Sequence, residues 1–277
     1  MSVNFVNREI DEWKDLIKGL HIEVLNIYNS DFKIEYKGDK SPVTKADKLV
    51  SEIIYKKLKE WYPDIPIICE ESKQIEYEEK PRCGFSASCY RQDEERSNWE
   101  YYFLIDPIDG TKEFISKNGE FTINIGLCHM NRPIFGIVTI PVENVMYYAE
   151  KGNGAYKINL LTNKLKQINC KCIQDDKIDV VISRSHINTS TQNFIDKINN
   201  KNLVKCGSSI KFMKIAEGLA DIYPRLDGTM EWDICASQII VEEAGGSVLN
   251  YPDNTVMQYN KKSLLNGYFI CSIRVRN

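Results

Sequence analysis

The stretch Phe103-Leu-Ile-Asp106-Pro-Ile-Asp109-Gly-Thr111 constrains this chain more than any other. The apolar run 101–105 predicts a buried strand that delivers Asp106 at its carboxyl end. Pro107 lacks an N–H donor and is expected to end the ladder, and Asp109-Gly110 completes a turn. Two carboxylates on one rigid turn repel each other unless a cation or a proton lies between them. Hard oxygen ligands of this kind suit Mg²⁺, although Asp-Pro-x-Asp-Gly taken alone is also a common surface turn.

The composition is that of an ordinary globular protein, with 277 residues, of which 43% are hydrophobic and 27% are charged. This length allows one large domain or two moderate ones. The net charge of −3 argues against a nucleic acid as partner, because that binding needs a basic surface, and it leaves a small anionic ligand open. No apolar run reaches membrane-spanning length, and residues 1–15 do not resemble a signal peptide.

Cysteine usage indicates the compartment. The nine cysteines are an odd, scattered number, which is typical of reduced thiols in a cytoplasmic protein. Few histidines are present and no CxxC repeat occurs, so the pattern argues against structural zinc.

The first half of the chain predicts helices followed by a largely antiparallel sheet. Apolar residues recur at helical spacing over 3–28 and predict a first helix. Thr44 with Asp47 forms a capping-box pattern at the start of a second helix. This capping role is by itself a sufficient structural explanation for Asp47. A buried strand over 63–69 ends at Glu70, as the later strand ends at Asp106. Hairpin-like strands are predicted over 121–128, 134–140 and 145–149. The charged segment 73–100 predicts a solvated loop.

Beyond a polar stretch over 160–176, strands and helices alternate, which is typical of an α/β unit. We therefore expect two units, an N-terminal one over 1–160 and a C-terminal one over 161–277. The second unit is predicted to contain strand 180–183, helix 191–199, a strand near Val204, helix 209–218, strand 221–223, helix 232–244 and strands near Val248 and Phe269. Asp233 falls in the first turn of its helix, where the helix dipole favours a carboxylate.

Four motifs, in this order, resemble the inositol monophosphatase superfamily of lithium-sensitive, magnesium-dependent phosphomonoesterases. They are Ser41-Pro-Val-Thr-Lys-Ala-Asp47, Glu70-Glu71-Ser72, Asp106-Pro-Ile-Asp-Gly-Thr111, and Glu231-Trp-Asp233 followed by Glu243-Ala-Gly-Gly246. The resemblance covers most of the chain. It implies a mixed α+β fold, a layered αβαβα sandwich with a mainly antiparallel N-terminal sheet and a C-terminal α/β unit.

The flanking sequence is similar to the 3′(2′),5′-bisphosphate nucleotidase branch of this superfamily. The similarity lies in Lys112-Glu-Phe-Ile, Asn118-Gly-Glu-Phe-Thr-Ile-Asn-Ile125, Ser183-Arg-Ser-His186, Gly207-Ser-Ser-Ile-Lys211 and Ala220-Asp-Ile-Tyr-Pro-Arg225. Two parts depart from the branch: Leu226-Asp-Gly-Thr-Met-Glu231 differs from its usual Gly-Pro-Thr-x-x-Trp run, and 73–98 carries no family signature. These departures leave the fine substrate preference open.

The resemblance implies a role for each matching residue. Two or three Mg²⁺ ions would be held by Glu70, Asp106, Asp109, Asp233 and the carbonyl of Ile108. Asp47 and Thr111 would orient the attacking water. The substrate would be bound by Gly110, Thr111, His186, Ser208, Lys211, Arg225 and Asp233, with the nucleotide and its 5′-phosphate held by His186, Ser208, Lys211 and Arg225.

The implied activity is removal of the 3′-phosphate of adenosine 3′,5′-bisphosphate, and of its 5′-phosphosulfate analogue, by a cytoplasmic enzyme that recycles the by-product of sulfate transfer. The expected enzyme is a monomer with a small nucleotide as its partner, inhibited by lithium, without a nucleic-acid or membrane partner. An inositol phosphate phosphatase is the first alternative, and its signature would lack the Lys112-Glu-Phe run and the Tyr-Pro-Arg225 element. A catalytically silent regulator that binds metal or nucleotide is the second, and the intact carboxylates argue against it.

Overall fold

Two large β-sheets, with helices between and outside them, organise the chain, and a third sheet consists of two short strands, Ile34–Tyr36 and Pro42–Thr44. The computed structural model describes residues 10–36, 42–71, 96–170, 177–184 and 187–273. Most of the segment 73–100, for which a loop was predicted, lies outside these residues. None of the described helices is long and apolar enough to cross a membrane.

The helices and strands have the following bounds. The helices are α1 (Ile10–Tyr28), α2 (Lys45–Trp61), α3 (Thr111–Ile115), α4 (Thr189–Asp196), α5 (Ile210–Ala216) and α6 (Glu231–Glu243). The strands are β1 (Ile34–Tyr36), β2 (Pro42–Thr44), β3 (Ile67–Cys69), β4 (Tyr101–Asp109), β5 (Thr122–His129), β6 (Arg132–Ile140), β7 (Val145–Glu150), β8 (Gly154–Asn159), β9 (Lys164–Ile168), β10 (Ile178–Ser183), β11 (Lys201–Cys206), β12 (Ile222–Arg225), β13 (Gly246–Asn250) and β14 (Phe269–Ile273).

The larger sheet has seven strands in the order β3-β4-β5-β6-β7-β8-β9. Only the β3–β4 pair is parallel among these strands, so the predicted antiparallel character is confirmed. β9 lies beyond residue 160 and still belongs to this sheet, whereas the sequence assigned its residues to the second unit. Four of its five side chains are exposed, so this edge strand lacks the apolar alternation that would have revealed it. The division into two units stays a prediction.

The smaller sheet has five strands in the order β11-β10-β12-β14-β13. β10 runs parallel to β11 and β12, while β14 is antiparallel to both of its neighbours. Each strand and helix predicted for the second half is present, with ends shifted by a few residues, as is usual for element boundaries. The alternating α/β pattern therefore organises this part of the chain.

Three hydrophobic clusters show how the layers are packed. One cluster joins α1 and α2 to the outer face of the larger sheet, with Ile17 and Ile54 fully buried against Ile125. A second fills the space between the sheets and contains α5 and α6. A third packs Ile195 of α4 on Val180 of the smaller sheet. This order of layers is the αβαβα sandwich that the resemblance implied.

The strand that carries the acidic turn does not end at Pro107 as expected. Pairing between β4 and β5 runs to Asp106 opposite Asn124, is interrupted, and resumes with Asp109 opposite Thr122. β4 thus accommodates one extra residue in a β-bulge, which leaves the Pro107 position without a ladder bond. The bulge, rather than a chain termination, presents both carboxylates at the edge of the site.

Two glycines let α6 lie directly on the larger sheet. Gly126 of β5 and Gly136 of β6 are cross-strand partners. A Cβ on Gly126 would lie 2.5 Å from Cys235 Sγ, and one on Gly136 would lie 2.5 Å from the carbonyl oxygen of Ala236. Any larger side chain would push α6 away from the sheet, and with it Asp233 in its first turn.

We therefore expect Gly136→Ala to lower the free energy of unfolding by about 1–3 kcal/mol, the usual cost of overpacking a tight core. The matched control is Gly19→Ala. Gly19 lies in α1, and a Cβ added there would have no neighbouring atom within 4 Å, so alanine should stabilise the helix by about 0.5–1 kcal/mol. Urea unfolding of both variants measures this difference, and equal effects at the two sites would contradict the packing argument.

Candidate active site

Three structural elements bring the four predicted acidic residues to one end of the larger sheet. Glu70 follows β3, and its N–H donates to the carbonyl of Ile105 at 3.1 Å, which places it beside the end of β4. Asp106 and Asp109 flank the bulge of β4, and Asp233 lies in the first turn of α6. The structure thus brings together acids that are far apart in the sequence.

Asp106 is the most confined of these acids, with 2% of its surface exposed. Its Oδ1 accepts the N–H of Ile108 at 3.1 Å, and its carboxyl group is hydrogen-bonded to Glu70. Burial raises its pKa well above the usual range, and the charges of Glu70, Asp109 and Asp233 act in the same direction. Such a group either keeps a proton or needs a cation beside it.

Local donors orient Asp109 and Asp233. The hydroxyl of Ser209 lies 2.7 Å from Asp109 Oδ2 and 3.1 Å from the carbonyl oxygen of Asp233. The N–H of Met230 donates to Asp233 Oδ2 at 2.8 Å, as the capping box of α6 requires. Burial, followed by the charges of Asp109 and Glu70, raises the pKa of Asp233 well above its usual range.

Three polar residues that lie within the quoted motifs, but to which the sequence assigned no role, support Asp109. Besides Ser209, the side chains of Thr122 and Asn124 approach its Oδ2, each at 3.4 Å. Asn124 also donates to Ser209 Oγ at 2.9 Å. Thr122 and Asn124 are fully buried in a strand of otherwise apolar residues. Polar side chains inside an apolar run were the signal that could have revealed them.

The donor types and charges fit a hard divalent cation. Carboxylates and a carbonyl are the ligands that Mg²⁺ prefers, and neighbouring acids with raised pKa values favour a bound cation. Within the described residues, no three acidic, histidine or cysteine side chains already form a complete metal cage. One oxygen of Asp109 and one of Asp233 are hydrogen-bonded, while their second oxygens accept no hydrogen bond from the described residues. The residues therefore fit the ion chemically, and the ligand geometry is not preformed.

Asp47 and Thr111, predicted to orient water, are neighbours in the structure. The Thr111 hydroxyl lies 3.3 Å from Asp47 Oδ1 and 3.3 Å from the carbonyl oxygen of Ile108. Asp47 also closes the predicted capping box, because its Oδ2 accepts from the N–H and the hydroxyl of Thr44 at 2.8 and 2.7 Å. Burial raises the pKa of Asp47, and the Thr44 hydrogen bonds oppose this shift. One carboxylate oxygen therefore caps the helix, and the other faces Thr111.

Lys211, predicted to bind substrate, is buried rather than displayed on the helix surface. It is 7% exposed, its Nζ donates to the carbonyl of Ser208 at 2.6 Å, and it lies 5.6 Å from the centre of the Tyr223 ring. Burial lowers its pKa, while the charge of Asp109 acts in the opposite direction. A buried ammonium beside an acidic site is suited to an anionic ligand.

Arg225 and Gly110 are two further residues predicted to bind substrate. Arg225 Nη2 donates to the carbonyl of Gly228 at 3.4 Å and lies 3.6 Å from Asp227, whereas its buried Nε has no partner among the described residues. Gly110 has a φ of 90°, and a Cβ there would lie 3.2 Å from Cβ of Ser208. The acidic turn and the Ser208 turn are therefore in contact. His186 lies outside the described residues.

Comparisons with known proteins identify the fold. The model of the inositol monophosphatase family matches residues 10–274. A 3′(2′),5′-bisphosphate nucleotidase CysQ from Salmonella typhimurium is 36% identical, over 90% of this chain and 94% of the relative. The crystal structure of CysQ from Bacteroides thetaiotaomicron superposes with a TM-score of 0.75 at 33% identity, over 93% of this chain and 94% of that one.

A more distant structure shares the fold alone. An inositol monophosphatase/NADP phosphatase complexed with Mg²⁺ and phosphate superposes with a TM-score of 0.72 at 16% identity, over 97% of this chain and 90% of that one. The chain therefore belongs to the inositol monophosphatase family, and its similarity to the bisphosphate nucleotidases confirms the branch indicated by its motifs.

Proposed function

We propose that this chain is a Mg²⁺-dependent 3′(2′),5′-bisphosphate nucleotidase that converts adenosine 3′,5′-bisphosphate to AMP and phosphate. The observation that carries this proposal is the meeting of an acidic cluster with two cationic side chains. The charge of Asp109 acts to raise the pKa of buried Lys211, and the charge of Arg225 acts to lower the pKa of Asp233. A substrate with two phosphates matches this pairing, because one phosphate can lie at the acids with a cation and the other at Lys211 and Arg225.

Hydrolysis of a phosphate monoester is very slow in water, so the site must lower a large barrier. Mg²⁺ held by Glu70, Asp106, Asp109, Asp233 and the Ile108 carbonyl would act as a Lewis acid and lower the pKa of a bound water. A protein of the same fold has been solved with Mg²⁺ and phosphate. The number of ions, which we propose to be two or three, is part of the proposal.

The chain's own residues position the attacking water. The Thr111 hydroxyl can donate to Asp47 Oδ1 or to the Ile108 carbonyl, which leaves an oxygen lone pair to accept a hydrogen bond from water. The capping box holds Asp47 in place from the other side. The pair therefore aims the water without needing a covalent nucleophile, in line with catalysis by positioning.

Further features of this function are also part of the proposal. We infer that the enzyme acts on the 5′-phosphosulfate analogue, is inhibited by lithium, and serves the recycling of a by-product of sulfate transfer. We infer a monomer in the cytoplasm; the six described cysteines form no disulfide with one another, which supports a reducing compartment. An inositol phosphate phosphatase is the alternative, and the cationic pair of Lys211 and Arg225 favours the nucleotide over it.

Phosphate release from adenosine 3′,5′-bisphosphate and from inositol 1-phosphate, measured side by side in Mg²⁺, tests the function. We expect fast release from the nucleotide, slow release from the inositol phosphate, and inhibition by lithium of the nucleotide reaction. Preference for the inositol phosphate would overturn the substrate assignment. Nucleotide binding without phosphate release in excess Mg²⁺ would point to a silent regulator.

Asp106→Asn tests the metal site. We expect loss of turnover by more than about 10³-fold, because a metal ligand is removed. The fold should persist, since the substitution removes a buried charge next to three other acids. Mg²⁺ should raise the melting temperature of the wild type and no longer that of the variant. Asp196→Asn, on the exposed surface of α4, is the control, and near-wild-type rates in Asp106→Asn would refute the site.

Arg225→Ala tests the recognition of the second phosphate. Loss of a charge-assisted contact should raise KM for the nucleotide bisphosphate about 10- to 100-fold. Inositol 1-phosphate has no second phosphate, so its KM should change far less. Steady-state kinetics with both substrates give this comparison, and equal changes for the two would count against nucleotide recognition.

A further inference from the structure

Glu120 lies against two turns of the site: the turn that follows Asp109, and the Gly207–Ser208 turn that precedes Lys211 of α5. Its backbone carbonyl oxygen lies 3.2 Å from the position of a Cβ on Gly110 and 2.8 Å from that of a Cβ on Gly207. Both turns therefore approach the chain just before β5 closely: a side chain at Gly207 would force a shift of the backbone, and one at Gly110 would be tight and strained by its φ of 90°. Glu120 lies where the proposed metal site and the proposed phosphate site meet.

The carboxylate of Glu120 joins a third element to this junction. Its Oε2 accepts the N–H of Gly207 at 2.8 Å and the Nε of Arg184 at 2.7 Å, and its Oε1 accepts Arg184 Nη2 at 2.5 Å. Arg184 also donates to the carbonyl of Lys205 at 3.2 Å, which ties the ends of β10 and β11 together. Partial burial acts to raise the pKa of Glu120, but Arg184 and the Gly207 N–H lower it overall.

The residue after Gly207 shows why this junction needs support. Ser208 has a φ of 43°, in the left-handed region that a non-glycine residue adopts only when its surroundings hold it there. The carbonyl of Ser208 is the acceptor for Lys211 Nζ. A shift at Gly207 would therefore pass through Ser208 to the ammonium group of Lys211.

An ion pair at a surface contributes little on average, and this pair differs in two respects. Arg184 engages both oxygens of Glu120, which restricts its orientation, and one of those oxygens also binds a backbone N–H. The pair thus fixes a backbone position in addition to bringing two charges together.

We propose that Glu120 and Arg184 are positioning residues, which hold the Gly207–Ser208 turn and thereby the Lys211 ammonium in place for an anionic group of the substrate. This inference rests on the proposed nucleotidase function. Neither side chain is assigned contact with the substrate or the metal. The expected signature is therefore weaker substrate binding with the chemical step unchanged.

Steady-state kinetics of Glu120→Gln and Arg184→Met with adenosine 3′,5′-bisphosphate in Mg²⁺ test this inference. We expect KM to rise about tenfold, the effect of losing one charge-assisted hydrogen bond, with kcat within about twofold of the wild type. Arg184→Lys keeps the positive charge but lacks the planar guanidinium that binds both carboxylate oxygens. Its KM should therefore lie between that of the wild type and that of Arg184→Met.

Glu242→Gln is the matched control. The Glu242 side chain is 22% exposed, as is that of Glu120, and Arg132 likewise binds both of its oxygens, at 2.8 and 3.1 Å. This pair lies at the end of α6 opposite Asp233. We expect its KM to stay at the wild-type value.

An unchanged KM in Arg184→Met would overturn the inference. An equal rise of KM in Glu242→Gln would also overturn it, because a general loosening of the fold would then explain the effect. Arg184 is 44% exposed, so its variant carries the test even where Glu120→Gln fails to fold. If the wild type releases no phosphate from the nucleotide, the proposed function fails. The positioning role is then measured by calorimetry of inorganic phosphate binding, which should weaken in Arg184→Met and stay unchanged in Glu242→Gln.

Discussion

Repulsion among buried carboxylates is the constraint on which the rest of this structure depends. Asp106 is almost fully buried beside Glu70, Asp109 and Asp233, and each of these charges raises its pKa further. A fold gains no stability from such a cluster by itself, because the desolvation of each acid is uncompensated. The cluster becomes favourable when a cation shares it, so the same feature that strains the fold prepares the site for a metal and a phosphate.

The backbone around this cluster is built to hold the acids at fixed positions. A bulge in β4 presents Asp106 and Asp109, and a pair of glycines lets α6 lie deep enough to bring Asp233 beside them. Ser209 then links Asp109 to the backbone of α6. Rigid elements and short hydrogen bonds of this kind keep like charges close together, which flexible loops would not do.

Cationic groups on α5 and β12 partly balance the acids. Lys211 is buried, and the charge of Asp109 opposes the loss of its proton. The charge of Arg225 acts to lower the pKa of Asp233, against the larger effect of burial. The site therefore combines a surplus of negative charge at one end with positive charge at the other. This distribution of charge suits a ligand with two separated phosphates, one of which binds together with metal cations.

Local pattern by itself determined much of this protein: the amphipathic helices, the antiparallel strands, the capping box at Asp47, the place of Asp233 in the first turn of its helix, and the acids at strand ends. These features depend on residues a few positions apart, which periodicity and turn chemistry reveal. Only the tertiary structure decided the burial of Lys211, the support of Asp109 by Ser209 and the contact of Glu120 with Arg184. The last two join residues 100 and 64 positions apart, and a packing contact over such a separation leaves no periodic trace in one sequence.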